Sequence, residues 1–143
     1  MRNKLIATLV ALPLLALSMS AMAADPAVGR WKTYDEDTGK PRLIVDVYEA
    51  KGGTIAAKVV ETLFAPNATC TACTGAAKNK PMKDMVILWG LKRDGAGYSG
   101  GTVLKLANGK TYKAKGELLS PTKLQVSGCL GFICKHQEWT REH

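Results

Sequence analysis

The chain is 143 residues long and 46% hydrophobic, with 20 basic against 12 acidic side chains and a formal net charge of +8. That length supports one domain with a real but limited core. The surplus positive charge would suit an anionic partner such as nucleic acid, lipopolysaccharide or a membrane. Its lysines are scattered singly, however, never in a run of five or six, and no basic–aromatic cluster accompanies them. A solvated surface is therefore expected, and nucleic acid is not expected as a partner.

The sequence opens MRNKLIATLVALPLLALSMSAMAADP. Arg2 and Lys4 form a short basic start, residues 5–17 are almost wholly apolar, and Ala21-Met22-Ala23 supplies the small-x-small pattern that signal peptidase reads. The apolar run falls short of the roughly 20 residues a membrane span needs. Residues 1–23 are expected to be a cleaved signal peptide. Residues 24–143 are then a single exported domain, periplasmic or secreted, with no membrane span. Losing Arg2 and Lys4 takes the net charge from +8 to +6.

Beyond the leader, alternation with period two dominates, punctuated by turn signals. GRWKTY (29–34) is the first expected strand, followed by RLIVDVYE (42–49) and TIAAKVVE (54–61). A longer connection leads to MVILWGLK (85–92), which is apolar on both faces. YSGGTVLKL (98–106), TYKAKGEL (111–118), LQVSG (124–128) and QEWTRE (137–142) complete eight short strands. The tight connections between them include Asp-Gly and Asn-Gly, the strongest short hairpin signals. No useful helical periodicity, internal repeat or low-complexity tract is present. The expected fold is all-β: an eight-stranded antiparallel up-and-down barrel, whose closure removes exposed sheet edges, with a two-sheet sandwich as the alternative.

Taking the uncharged face of each strand as inward points Trp31, Leu43, Val45, Val47, Ile55, Ala57, Val59, Tyr98, Gly100, Thr102, Leu104, Tyr112, Ala114, Gly116, Leu124, Val126 and Trp139 into the lumen. An eight-stranded barrel is just wide enough to be filled by side chains or to hold one small ligand. Ala57, Gly100, Ala114 and Gly116 are small and favour some unfilled space. The alternative is that they serve bulges, bends and a tapered end. The expected ligand contacts are Tyr98, Thr102, Tyr112 and Ala114, with Trp89 as a further inward-facing residue that lines a pocket or simply packs.

The order of GRWKTYDEDTGKPR (29–42), CTAC (70–73), KNKPMKDMVILWGLKRDGAGYSGG (78–101), ANGKTYK (107–113) and HQEWTRE (136–142) resembles a bacterial family of small secreted proteins, domain of unknown function 2147. The resemblance implies a calycin-type, lipocalin-like barrel, and no established biochemical role. GRW (29–31) and WTR (139–141) look like the two ends of the lipocalin signature. Carried over, Trp31 plugs the base of the barrel and Arg141 packs across it by cation–π stacking, worth about 0.5–2 kcal/mol.

Four cysteines in an oxidising compartment read as disulfides by default. Cys70 and Cys73 sit in the long connection; Cys129 and Cys134 flank LGFI near the last hairpin. Three connectivities exist, and the closeness of each pair along the chain favours the local ones. Two rivals stand beside the staples. The first is a zinc site of four thiolates, or of three with His136. The second is a CxxC redox couple, although CTAC lacks the helix-opening context that lowers a thiol pKa. Haem attachment is excluded by Thr74, which stands where a histidine must follow. GxSxG, HExxH and phosphate-binding glycine loops are absent, and His136 and His143 are the only histidines. The carboxylates Asp35, Glu36 and Asp37 read as a solvated turn rather than a cation site.

No catalytic residue, cofactor or resident metal is therefore expected. The leading expectation is a monomeric or weakly associating carrier of a small hydrophobic molecule. The alternatives are an envelope structural or interaction protein with a filled barrel, and a thiol oxidoreductase.

Overall fold

Alternating apolar and polar residues make half-buried strands, and here eight of them pair in chain order: β1 (Gly29–Tyr34), β2 (Pro41–Glu49), β3 (Ile55–Thr62), β4 (Val86–Asp94), β5 (Gly97–Lys105), β6 (Lys110–Ser120), β7 (Lys123–Leu130) and β8 (Ile133–Arg141). Each is antiparallel to the next, and β1 meets β8, which closes the barrel. The computed structural model describes residues 8–13 and 23–143. The basic start of the expected leader, most of its apolar run and Ala21-Met22 lie outside the described residues.

All eight expected strands are present. β7 and β8 reach further than expected, because their alternation runs through the cysteines. Cys129 lies opposite Cys134 and Leu130 opposite Ile133, leaving Gly131 and Phe132 as a two-residue turn. Gly131 has φ +60°, as the first turn position of a type II′ hairpin requires.

Inward residues match the uncharged faces along β1, β2, β3, β6 and β7, where Trp31, Val45, Ala57, Val59, Ala114 and Val126 are buried. Two strands depart from expectation, and bulges are the cause. A bulge breaks strict alternation, so every residue beyond it changes face. In β5 the register slips between Tyr98 and Gly101. Gly101 is buried in place of Gly100, and Thr102 lies opposite Trp89. In β4 the register against β3 slips twice. Leu88 and Leu91 are buried, while Trp89 between them is 39% exposed. Trp89 and Thr102 therefore do not point into the lumen.

Up-and-down topology places the β1–β2, β3–β4, β5–β6 and β7–β8 connections at one end, the open end. The other three connections lie at the opposite end with residues 23–28. The longest connection, 63–85, lies against the β5–β6 turn. A Cβ on Gly109, whose φ is +71°, would stand 1.9 Å from the carbonyl oxygen of Ala72. Cys70, Cys73 and Met82 in that connection are buried as part of the main core.

Candidate functional site

The closed end is plugged. Trp31 is fully buried and donates from Nε1 to the Ala27 carbonyl at 2.8 Å. The Arg141 guanidinium lies 4.3 Å over its ring. Arg141 also donates to the carbonyls of Pro121, Val28 and Pro26 at 2.7, 3.1 and 2.7 Å, so both its flat face and its rim of donors are used. Gly29 makes this possible, since a Cβ there would stand 2.6 Å from Arg141 Nη1. Asp25 completes the plug, accepting from Tyr98 Oη at 2.5 Å, from the Ala27 amide at 2.9 Å and from Arg93 Nη1 at 2.8 Å. Burial pushes the Asp25 carboxyl up, but these hydrogen bonds and the Arg93 charge outweigh it and hold the group below its ordinary value. Burial, together with the Asp25 hydrogen bond and charge, pushes the Tyr98 phenol up to about 12.

The open end holds a cavity of about 470 Å³, within the range of small-molecule pockets. Its walls are mostly apolar: Leu43, Ile87, Val103, Leu106, Val126 and Trp139 line it. Charged and polar side chains, among them Asp35, Glu36, Asp37, Arg42, Lys105 and Asn108, line it as well. Thr33, Gln137 and Tyr112 reach it from β1, β8 and β6. Gln137 is fixed in place, donating to the Tyr34 carbonyl at 2.8 Å and accepting from Trp139 Nε1 at 2.7 Å. Tyr112 Oη accepts from Asn108 Nδ2 at 2.8 Å. Lys135 lines the cavity from β8 and enters no ion pair among the described residues.

Charged pairs ring the mouth. Lys105 meets Glu36 at 2.7 Å, tying the β1–β2 turn to the end of β5, and Arg42 meets Asp35 at 3.5 Å. Such exposed pairs contribute little to stability and order the rim at most weakly. The carboxylates of residues 35–37 form a turn. Asp35 Oδ1 accepts from the amides of Asp37 and Thr38 and from the Thr38 hydroxyl. The hydrogen bonds from Thr38, amide before hydroxyl, hold its carboxyl below the ordinary value. Among the described residues no group of three or more His, Cys, Asp or Glu is arranged to hold a metal.

The cysteines form the two local disulfides, Cys70–Cys73 and Cys129–Cys134. Both sulfurs of the first pair are buried, and Cys70 Sγ lies 3.8 Å from the Leu106 carbonyl oxygen. This bridge fixes the long connection against the cavity wall. The second bridge crosses between β7 and β8 one pair below the hairpin tip. His136 hydrogen-bonds Ser127 at 2.6 Å, two pairs further down.

Residues 29–141 match the model of a family described as uncharacterised proteins conserved in bacteria, DUF2147. The chain belongs to this family. A solved structure, protein HP1028 from the human pathogen Helicobacter pylori, described as belonging to the lipocalin family, is similar in fold. The two share 20% sequence identity with a TM-score of 0.71 over 85% of each chain. At that identity the likeness shows the lipocalin-like barrel and nothing finer. No curated protein matches the chain.

In this DUF2147 barrel the expected ligand contacts are dispersed. Tyr112 lines the cavity. Tyr98 is bound to Asp25 in the closed-end plug, Ala114 is buried in the core, and Trp89 and Thr102 lie opposite one another across β4 and β5. Trp31 and Arg141 stack at the base, and Trp139 is buried with its indole nitrogen held by Gln137. Sequence reasoning missed Thr33, Ile87, Val103, Lys135 and Gln137. The last two carried a usable signal. An inward Trp139 implies by parity that 137, 135 and 133 also face inward, had β8 been started at the cysteine. Val103 and Ile87 carried none, because each lies beyond a bulge.

Proposed function

We propose that this protein binds a small, predominantly apolar molecule in the cavity at the open end of its barrel. The observation that carries the reading is the pairing of a plugged base with an apolar, accessible cavity of about 470 Å³. A filled barrel acting only through its surface would have no use for such a space. Apolar walls would supply the affinity, while Thr33, Tyr112 and Gln137 would orient the ligand. The outer wall carries Arg30, Lys32, Asp46 and Lys58, which suits water rather than lipid around the strands. No helix among the described residues is long and apolar enough to cross a membrane.

Two disulfides support an oxidising, extracytoplasmic location, and the leader-like residues 1–23 support export. Burial of both Cys70 and Cys73 argues against a thiol oxidoreductase, whose attacked sulfur must be reachable.

The test is a titration with the neutral apolar dye N-phenyl-1-naphthylamine, whose fluorescence rises on leaving water. Saturable binding is expected, weakened by about tenfold or more in Val103→Trp, which places an indole in the cavity from a half-buried wall position. Unchanged dye affinity in a folded Val103→Trp protein would overturn the reading.

A further inference from the structure

The tip of the β7–β8 hairpin is unlike any other exposed apolar surface of the barrel. Leu130, Phe132 and Ile133 are 73%, 106% and 74% exposed, while Leu63, Phe64, Val86, Trp89 and Leu119 are 38–45% exposed. Leaving three large apolar side chains in water wastes the burial that drives folding, and a contiguous patch of this kind marks a contact surface. The tip cannot fold back to hide them. A two-residue turn ends it, and Cys129–Cys134, with a Cα separation of 4.0 Å, clamps the strands one pair below.

Free positive charge gathers at the same end. Lys40, Lys78, Lys80, Lys83, Lys110 and Lys135 lie in the open-end segments and enter no ion pair among the described residues. Against them stand three unpaired acids, Asp37, Asp84 and, one residue from the open end of β3, Glu61. At the closed end, by contrast, Arg93 is tied to Asp25, Arg141 to backbone carbonyls and Arg30 at the foot of β1 to Asp46, and the unpaired Lys51 and Lys123 are matched by the unpaired acids Glu49 and Asp94.

We propose that the open end docks on an anionic lipid surface. The tip residues Leu130, Phe132 and Ile133 enter the headgroup–acyl boundary, and the surrounding lysines meet the phosphates. Apolar anchors beside a basic surface are what interfacial binding requires, and neither alone holds a protein to a bilayer. A second copy of the chain is the poorer occupant. Three side chains fall short of the roughly 800 Å² per partner of a stable interface, and two open ends carry like charge. Leu130 and Ile133 also line the cavity, so docking would set its mouth against the lipid. For an apolar ligand that is a route that avoids water. This last consequence rests on the cavity reading, whereas the docking itself does not.

The test is co-sedimentation of the oxidised protein with vesicles of phosphatidylcholine alone, or mixed in equal parts with phosphatidylglycerol. Each measurement is repeated with Phe132→Ser, a change at a side chain that touches no core. Binding to the anionic vesicles is expected, weakened by added salt and by about tenfold or more in Phe132→Ser. Equal binding by the parent and a folded Phe132→Ser protein would overturn the proposal, as would failure of the parent to bind anionic vesicles. A dimer abolished by Phe132→Ser, without vesicle binding, would overturn it in favour of self-association. Val103→Trp should bind vesicles like the parent, so that failure of the cavity reading and failure of this one are separable.

Discussion

At the closed end Trp31, Arg141, Asp25 and Tyr98 each find partners within the chain. At the open end the same strands surround a cavity, exposed ion pairs lie along its rim, and three apolar side chains stand in water. Both ends are built on one ladder of hydrogen bonds, so strand pairing does not explain the difference. Side-chain volume and satisfied polar groups make one end a base. Large apolar side chains that stop short of one another, and apolar surface left in water, give the other an open cavity.

The largest effect that would test this contrast is expected at the base. Trp31→Ala should lower the unfolding free energy by about 3–5 kcal/mol, read from denaturant titration, because it opens a void among fully buried neighbours. Tyr112→Ala in the cavity wall should cost about 1 kcal/mol or less, since the cavity is already open beside it. Similar losses for the two would mean that the ends are not distinct in packing.

A second comparison lies among glycines of the turns. Gly109→Ala should destabilise by more than about 1 kcal/mol and speed reduction of the Cys70–Cys73 bridge, because the new methyl collides with the Ala72–Cys73 peptide inside the bridged loop and pushes it from the β5–β6 turn. Gly95→Ala, also at positive φ but with open space around it, should leave the bridge as slow to reduce as in the parent.

The smallest effect is a pH dependence, to which the base contributes Asp25 and Tyr98 and the open-end turn contributes Asp35. Asp25 titrates below its ordinary value when folded, so its contribution is present above the unfolded carboxylate pKa of about 3.9 and is lost as pH falls through the lower folded value. Tyr98 titrates higher in the folded protein, so its contribution is complete below pH about 10 and is lost as pH rises through about 12. Thermal melts of Asp25→Asn should lose part of the acid-side slope, Asp35 supplying the rest, and their alkaline loss should be complete at a lower pH than in the parent because Tyr98 no longer faces the Asp25 charge. An acid slope unchanged in that variant would place the sensitive group elsewhere.

Much of the barrel was legible in the sequence because alternation is a direct imprint of a half-buried strand. Trp31, Val45, Val59, Ala114 and Val126 could be assigned to the inside from parity alone. The base was legible through GRW and WTR, where the steric need for Gly29 beneath Arg141 leaves a recognisable motif. Trp89 and Thr102 were placed on the wrong face because a bulge adds one residue without altering composition. The cavity wall was hidden for a related reason. Which residues surround a void depends on where each strand's register slips, a property of strand pairs that no single strand records. Lys135 was passed over despite its parity with Trp139, since a charged residue on an inward face contradicts the rule by which the faces were assigned.

The seam between β1 and β8 has a consequence for how the molecule is made. Seven of the eight strand pairings join neighbours along the chain, and the two disulfides span separations of only 3 and 5 residues. The eighth pairing is different in kind. Its backbone register is confined to Trp31↔Arg141 and Lys32↔Thr140, and the bond from Arg141 to Val28 crosses a separation of 113 residues. Such a contact is entropically the most expensive to form and the slowest. The hairpins and both bridges can therefore form on an incomplete chain, but the barrel cannot close until its final residues are present. A chain cut just before Thr140 would keep nearly all of its local structure and expose two raw sheet edges, a template for aggregation.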